Sequence, residues 1–273
     1  MKTVISILCV LLSFGSFAQN GVEIIMAHKQ FSNNGETIKA EKKSVIWITE
    51  TKMKISSDDM NEPIMIYDSD EQIITMVMRD KEKYSEISQV EMEEMNAQME
   101  ASRKMMEQQM AQMPEAQRAM LQERMAGMFS KEIPKVEYEL TEEKVKIGPY
   151  STDKYVGTAN DQKIEEVFIA SIDQFEVQGS YFNVYTKMME FMRENMGKMM
   201  NTISGENYNT SLSSSYPSIE EGIPVKSIAY NEEFKRSEEI LEKISQKEIP
   251  IEAFEVPSNF KKIDLLKEMK SGK

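Results

Sequence analysis

Residues 44–78 read SVIWITETKMKISSDDMNEPIMIYDSDEQIITMVM, and they carry the clearest structural pattern in the chain. It holds four short runs rich in Ile, Val and Met, which turn segments such as Ser57-Asp58-Asp59 separate. Short runs of such residues between turn segments are typical of β-strands. Because the runs follow one another with no room for a crossover helix, we expect them to pair as an antiparallel meander.

Strand-like runs continue on both sides of this stretch, and two helical segments interrupt them at about 88–129 and 179–200. Sheet on both sides of each helical segment predicts an α+β domain over residues 19–270, mainly antiparallel, with the helices over one face of the sheet. The further predicted strands are 22–31, 83–87, 136–140, 144–147, 154–159, 163–170, 224–230 and 237–245.

The central strands are apolar at nearly every position, as in Val45-Ile46-Trp47-Ile48. A strand with one wet face would alternate apolar and polar residues, so both faces of these strands are expected to be shielded from water. Two interpretations stay open at this point. The sheet either has packed core on both sides, or it curves so that one face lines an apolar cavity under the helices.

Residues 1–18 have the features of a secretory signal peptide. Lys2 supplies the positive start, an apolar stretch follows, and Ser16-Phe17-Ala18 matches a small-x-small cleavage site before Gln19. We therefore expect an exported protein, periplasmic or extracellular. The apolar stretch is shorter than the ~20 residues of a membrane span. The chain's one cysteine, Cys9, lies within it, so the mature chain is expected to contain no thiol.

Composition excludes several function classes. The formal charge is −13, with 46 acidic against 33 basic residues, whereas nucleic-acid binding requires a basic surface. His28 is the only histidine and no cysteine is expected in the mature chain, so Ser-His-Asp catalysis, Cys-His catalysis and a His-based zinc site have almost no candidate residues. We read His28 as a half-buried polar residue of the first strand, and we expect no enzyme, no cofactor and no resident metal.

Methionine is the abnormal residue, with 24 in 273. Met99, Met106 and Met110 belong to one stripe at spacings of three, four and seven residues, and Met188 and Met192 belong to a second in the later helix. Three interpretations compete. The stripes are ordinary buried helix faces, or an adaptable surface for an acyl chain or apolar peptide, or a thioether site for Cu(I).

Four segments give the chain a resemblance to a known family: WITETKMKI (47–55), YVG (155–157), EEVF (165–168) and FEVPSNF (254–260). With the signal peptide and the inserted Met-rich helices, the chain resembles the secreted proteins grouped as domain-of-unknown-function family 4412. That family is similar to the periplasmic lipoprotein-carrier (LolA-like) fold. The resemblance implies an unclosed antiparallel barrel with lid helices over an interior that accepts acyl chains.

These observations lead to a hypothesis of function. The chain is an exported, non-enzymatic binding protein that holds a lipid, lipoprotein or other apolar ligand under its Met-rich helices. An envelope protein whose Met stripes bind a partner protein of unknown identity is the alternative, and a Cu(I)-binding protein is the third. The residues expected to line the apolar site are Trp47, Ile66, Met99, Met106, Met110, Met188, Met192 and Met199.

Overall fold

A computed structural model of the chain describes residues 18–32, 36–37, 41–112, 136–192, 222–231 and 234–264. Its first part is a run of six strands that ends in a helix, α1 (Gln89–Ala111). The strands are β1 (Ala18–Gln30), β2 (Lys42–Ile48), β3 (Lys52–Ser57), β4 (Ile64–Asp68), β5 (Ile73–Met78) and β6 (Lys83–Ile87).

The second part is another run of strands, which a helical segment interrupts before β10. This segment begins as a 3₁₀ turn, Gly179–Phe182, and continues as α2, whose described residues are 183–192. The strands are β7 (Glu137–Ile147), β8 (Tyr150–Ala159), β9 (Gln162–Ala170), β10 (Ile223–Asn231), β11 (Phe234–Pro250) and β12 (Lys261–Lys262).

All the described strands belong to one open sheet in the order β12-β6-β5-β4-β3-β2-β1-β11-β10-β9-β8-β7. Strands β1–β6 form one antiparallel meander and β7–β11 form a second. The two long strands β1 and β11 pair along their lengths and join the meanders, and β12 adds to β6 in parallel. The predicted meander of residues 44–78 is confirmed.

Strand register sorts the apolar side chains onto two faces. One row across five strands runs Val22, Ile48, Met53, Tyr67 and Ile74, each opposite the next, and all five are buried. This row belongs to a cluster into which α2 packs, so we call this side of β1–β6 the helix-side face and the cluster the helix-side cluster.

The opposite, tail-side face of the first meander is covered by the C-terminal segment. Ile66 and Val77 from the strands form a buried cluster there with Ile249 and Phe254. The Lys54 ammonium donates a hydrogen bond to the carbonyl oxygen of Ala253 at 2.6 Å, which helps to hold this segment against the sheet. Both faces of the first meander therefore carry buried apolar clusters, as the apolar runs of its strands predicted.

The predicted α+β class with Met-rich lid helices is wrong. One large mixed sheet dominates the fold, and the described helices are few. In α1 the first turn contacts β6 and Met92 is buried, but most of the described side chains beyond it are exposed, including Met105. The helix therefore does not cover the sheet. Helical spacing of methionines predicted the stripe but could not say what the stripe faces.

The structure describes only part of the predicted helical insertions. The capping box of Ser88 and Glu91 starts α1 where the sequence places it, because the two residues satisfy each other's backbone N–H groups. Residues 113–135 and 193–221 lie outside the described part, and so do residues 1–17 of the predicted signal peptide. Within the described part, no helix is both long and apolar enough to cross a membrane.

Candidate ligand-binding cavity

A cavity of about 260 Å³ lies on the helix-side face, between β1–β3, the strands β10 and β11, and the start of α2. Most of its wall is apolar, and its polar groups gather at one end. The lining residues are Ile24, Met26, His28, Ser44, Ile46, Ile48, Ile55, Phe182, Tyr185, Gly222, Ile223, Pro224, Ser227 and Glu239.

Strand alternation explains why β1–β3 line this cavity. Ile24 lies opposite Ile46, and Ile46 lies opposite Ile55, so one cross-strand row supplies three branched side chains. Alternate residues of a strand point to the same face, so Met26 and His28 continue along β1 on the side of Ile24. The cavity floor is thus a direct product of register.

Two aromatic side chains close the cavity from the helical segment. Phe182, at the end of the 3₁₀ turn, is 3% exposed, and Tyr185 follows in the first turn of α2. Burial raises the pKa of the Tyr185 hydroxyl, so this group stays protonated and can donate a hydrogen bond. Both rings belong to residues that pack on the helix-side cluster, which fixes them over the floor.

A backbone constraint at Gly222 shapes the cavity wall between α2 and β10. This residue has φ +138°, and a Cβ placed on it would lie 2.2 Å from the carbonyl oxygen of Ala170. Only glycine fits such a close approach without strain. The glycine therefore lets the chain enter β10 against β9 at the edge of the cavity.

The polar end of the cavity is built around an imidazole and a carboxylate. His28 Nδ1 lies 3.1 Å from Glu239 Oε1, and the two residues are cross-strand partners of β1 and β11. This hydrogen bond raises the pKa of His28, against the opposing effect of burial. His28 Nε2 is buried and has no hydrogen-bond partner among the residues that the structure describes. The predicted half-buried position of His28 is confirmed.

A second cavity, of about 420 Å³, lies between the first turns of α1, the strand β6 and the C-terminal segment. Its lining is mainly charged, with Glu86, Glu91, Glu94, Lys262 and Asp264 beside a few apolar side chains. Ligand sites for apolar molecules are lined predominantly by hydrophobic and aromatic side chains. The first cavity fits that description and the second does not.

The structure separates the residues that the sequence predicted for one site. Met188 is buried in the helix-side cluster and Met192 packs against it, whereas Ile66 is buried in the tail-side cluster with Trp47 packed beside it. Trp47 and Ile66 stand one residue out of phase with Ile46, Ile48 and Ile55, and a shift of one residue reverses the face of a strand. These two side chains therefore do not share a cluster with the two methionines.

The remaining predicted residues lie on α1 or beyond the described chain. Met110 is half-buried on α1, and the side chains of Met99 and Met106 on the same helix are not described. Met199 lies outside the described residues. A ligand-binding role for these methionines stays a prediction.

Trp47 has a polar setting of its own on the tail-side face. Its indole Nε1 donates a hydrogen bond to Glu23 Oε2 at 3.0 Å, and the Lys54 and Lys247 ammonium groups lie 5.2 and 5.5 Å from the ring centre. The Lys247 ammonium, 2.6 Å from Glu23 Oε2, holds the pKa of that carboxyl below its ordinary value. These contacts fix Trp47 in the sheet.

Sequence reasoning missed the pairing of His28 with Glu239, which are far apart in the chain. A local signal existed, because His28 is in phase with the apolar residues Val22, Ile24 and Met26 of the first strand. A polar side chain at the end of such a row indicates where the apolar face of the strand meets polar groups or solvent. The partner could not be found, since it depends on the register between β1 and β11 and on a bulge at Ile25/Met26.

No metal centre is visible among the described residues, which hold no group of three His, Cys, Asp or Glu side chains suited to an ion. The Cu(I) hypothesis concerns thioethers on the methionine stripes. It stays a hypothesis, because parts of both stripes lie outside the described residues or have undescribed side chains.

Comparison with known proteins leaves the family open. No protein-family model matches the chain, and no curated protein sequence matches it. The resemblance to domain-of-unknown-function family 4412 therefore stays a prediction.

Three solved structures show a distant likeness in fold. An uncharacterized conserved protein from Thermus thermophilus is 6% identical, with 91% of each chain covered and a TM-score of 0.42. PNGF-II is 10% identical, with 92% of this chain and 32% of that chain covered and a TM-score of 0.39. MucB, in the Pseudomonas aeruginosa MucA/MucB complex, is 9% identical, with 89% and 57% covered and a TM-score of 0.37. The chain thus spans about a third of PNGF-II and just over half of the MucB structure, and likenesses this distant say nothing of its function.

Proposed function

We propose that this chain is an exported, non-enzymatic binding protein whose ligand places an apolar group in the cavity on the helix-side face. The observation that carries the proposal is the composition of the wall. Branched side chains of β1–β3, the aromatic side chains Phe182 and Tyr185, and a few polar groups at one end line a single cavity. An apolar wall with few convergent polar groups is the usual chemistry of a small-molecule site.

The size of the cavity limits what it can hold. Its volume of about 260 Å³ is just under the ~300–1,000 Å³ of sites that enclose a drug-sized molecule. We therefore expect it to receive one end of a ligand, such as part of an acyl chain or one apolar side chain of a peptide. A complete lipid would extend beyond it.

Export and the absence of catalysis are parts of the proposal that rest on the sequence. A signal peptide cleaved after Ala18 would leave a mature chain that begins at Gln19. Amino-terminal sequencing of the protein from its own host tests this, and an intact Met1 terminus in the cytosol would contradict it. The single histidine and the lack of a mature cysteine favour binding over catalysis.

Titration with the neutral fluorescent probe N-phenyl-1-naphthylamine tests the binding function. Ser44→Phe would fill the cavity, because Ser44 is in its wall, and we expect this variant to lose at least tenfold in probe affinity. Ser56→Phe is the matched control, since Ser56 lies on the adjacent strand opposite Val45 and outside the cavity.

The outcome that contradicts the proposal is specific. If the wild-type protein binds no probe, or if both serine variants bind as well as the wild type, the cavity is not a ligand site. Circular dichroism of each variant shows whether it is folded before its affinity is compared.

One observation favours the alternative function, an interaction protein that uses α1. Val90 and Met105 are 63% and 60% exposed on this helix, and single large apolar side chains at this exposure are available to a partner helix. In that case Met105→Glu would abolish capture of a partner in cross-linking from cell envelopes and would leave probe binding unchanged.

A further inference from the structure

The lining of the helix-side cavity contains one carboxylate, Glu239, and one imidazole, His28. All the other lining residues are apolar, small, hydroxyl-bearing or glycine. A ligand with an apolar group in this cavity would therefore present any polar head to these two side chains.

Both side chains offer hydrogen-bond acceptors that lack donors. Glu239 Oε1 is 3.1 Å from His28 Nδ1, and no donor among the described residues contacts Oε2. When Nδ1 carries the proton of a neutral imidazole, Nε2 is an acceptor, and it too has no partner in the described part of the chain. Buried polar atoms are normally paired, so the buried Nε2 of His28 marks a missing donor, whereas the Glu239 carboxylate, 49% exposed, is open to solvent or to a ligand.

The surrounding charges have a negative balance. Asp58 and Glu62 from the turn before β4 act electrostatically on His28, and Glu165 of β9 interacts with Glu239. Lys42, the cross-strand neighbour of His28, does not supply a free positive charge. Its ammonium lies 2.6 Å from Asp59 Oδ2 and 2.6 Å from Glu62 Oε1. Tyr185, the group facing the site from α2, is neutral because burial raises its pKa.

We propose that the ligand of this cavity is an apolar chain that ends in an ammonium group, with Glu239 as its counter-ion. The inference rests on the proposed function and adds the chemistry of the head group. An ammonium supplies the missing donors, and a charge-assisted hydrogen bond to a carboxylate is about twice as strong as a neutral one. An anionic head group would be repelled by Glu239 and by the acidic residues around it.

His28 makes this recognition depend on pH. The protonated imidazole neutralises Glu239 and competes with the ligand, whereas the neutral imidazole leaves the carboxylate charge to the ammonium. Affinity for an ammonium ligand should therefore rise with pH through the pKa of His28, which lies above its ordinary value because of the hydrogen bond to Glu239.

Three ligands with the same eight-carbon chain test the inference: octylammonium, octanol and octanoate. Each is titrated against N-phenyl-1-naphthylamine bound to the full chain at pH 6 and pH 8.5. We expect octylammonium to displace the probe at about tenfold lower concentration than octanol at pH 8.5, with octanoate the weakest. Glu239→Gln should erase the preference for octylammonium over octanol.

The control is Glu248→Gln, which removes an exposed carboxylate from the same strand, outside the cavity. It should keep the octylammonium preference. Three results would each overturn the inference: octanoate binds most tightly, octylammonium and octanol bind equally, or the preference for octylammonium survives Glu239→Gln. In each case, binding of octanol would still support the proposed function. Failure of the probe and of all three ligands to bind would overturn the proposed function itself.

Discussion

Replacement of Met188 by alanine tests whether the methionines of α2 are packed core. The Met188 side chain is 5% exposed and lies in the helix-side cluster with Tyr67 and Phe191, whose ring centres are 6.0 Å apart. Removal of a buried methionine side chain loses its transfer free energy and leaves a cavity, which together cost about 2–5 kcal/mol. We expect Met188→Ala to lower the free energy of unfolding by this amount.

Met105→Ala is the matched control, because Met105 is 60% exposed on α1. Alanine is the best helix former, so this substitution should change stability by no more than about 0.5 kcal/mol. Urea unfolding followed by circular dichroism measures both variants. With a slope of ~2 kcal/mol/M, the midpoint of Met188→Ala should fall by about 1 M or more. Equal midpoints for the two variants would refute the assignment of Met188 to the core.

Three further perturbations have expected results. Gly222→Ala forces a Cβ against the Ala170 carbonyl and should lower the free energy of unfolding by several kcal/mol in thermal unfolding. Gly148→Ala is the control, because Gly148 has φ +57° with nothing near its Cβ, and it should cost only about 1–2 kcal/mol. Equal losses of stability in the two variants would contradict the close approach at Gly222. The hydrogen bond to Glu239 raises the pKa of His28. The stabilisation of the fold by this pair is therefore fully present below about pH 6.5, the ordinary pKa of histidine, and fades as the pH rises through the raised pKa of His28. Glu239→Gln should therefore destabilise by up to about 1 kcal/mol at pH 6 and by less at pH 9 in urea unfolding, and a larger loss at pH 9 would contradict this sign. Phe254 is 7% exposed in the tail-side cluster, so Phe254→Ala should lower the free energy of unfolding by about 3–5 kcal/mol and speed amide exchange in the C-terminal segment. An unchanged exchange rate would show that other contacts hold this segment.

The first meander could be predicted from sequence because its signals are local. Each strand of residues 44–78 carries its own apolar run and is bounded by its own turn, so pairing between neighbours follows from proximity in the chain. The order of sheet strands beyond β6 could not be predicted in this way. The contact of β1 with β11 joins Ala18 to Pro250 and depends on register over the whole chain.

The helical insertions show why periodicity alone misassigned the fold class. A stripe of methionines at helical spacing gives the same pattern on a helix that packs into core and on one that lies in solvent. The structure gives both outcomes: Met188 of α2 is buried, and Met105 of α1 is exposed. The neighbouring residues explain why Met188 is buried and Met105 is not. Tyr181 and Phe182 precede α2 and pack into the helix-side cluster, which brings α2 against the sheet.

Part of the candidate site could be predicted from the sequence. The apolar strand centres indicated a shielded face, and Trp47 and Ile66 were chosen from them, but their one-residue offset places them on the tail-side face. Ile46 of the same run as Trp47, and Ile55 of the next run, line the cavity instead. The phase of a strand relative to its sheet is a tertiary property, which alternation alone does not fix when both faces are apolar.

Native mass spectrometry of the protein, purified from its own host without detergent, shows directly whether the helix-side cavity holds a ligand. We expect a bound small molecule with an apolar chain, retained by the wild type and by Ser56→Phe and absent from Ser44→Phe. Wild-type protein that carries no such molecule and takes none up from a host lipid extract would contradict the claim that the helix-side cavity is a ligand site.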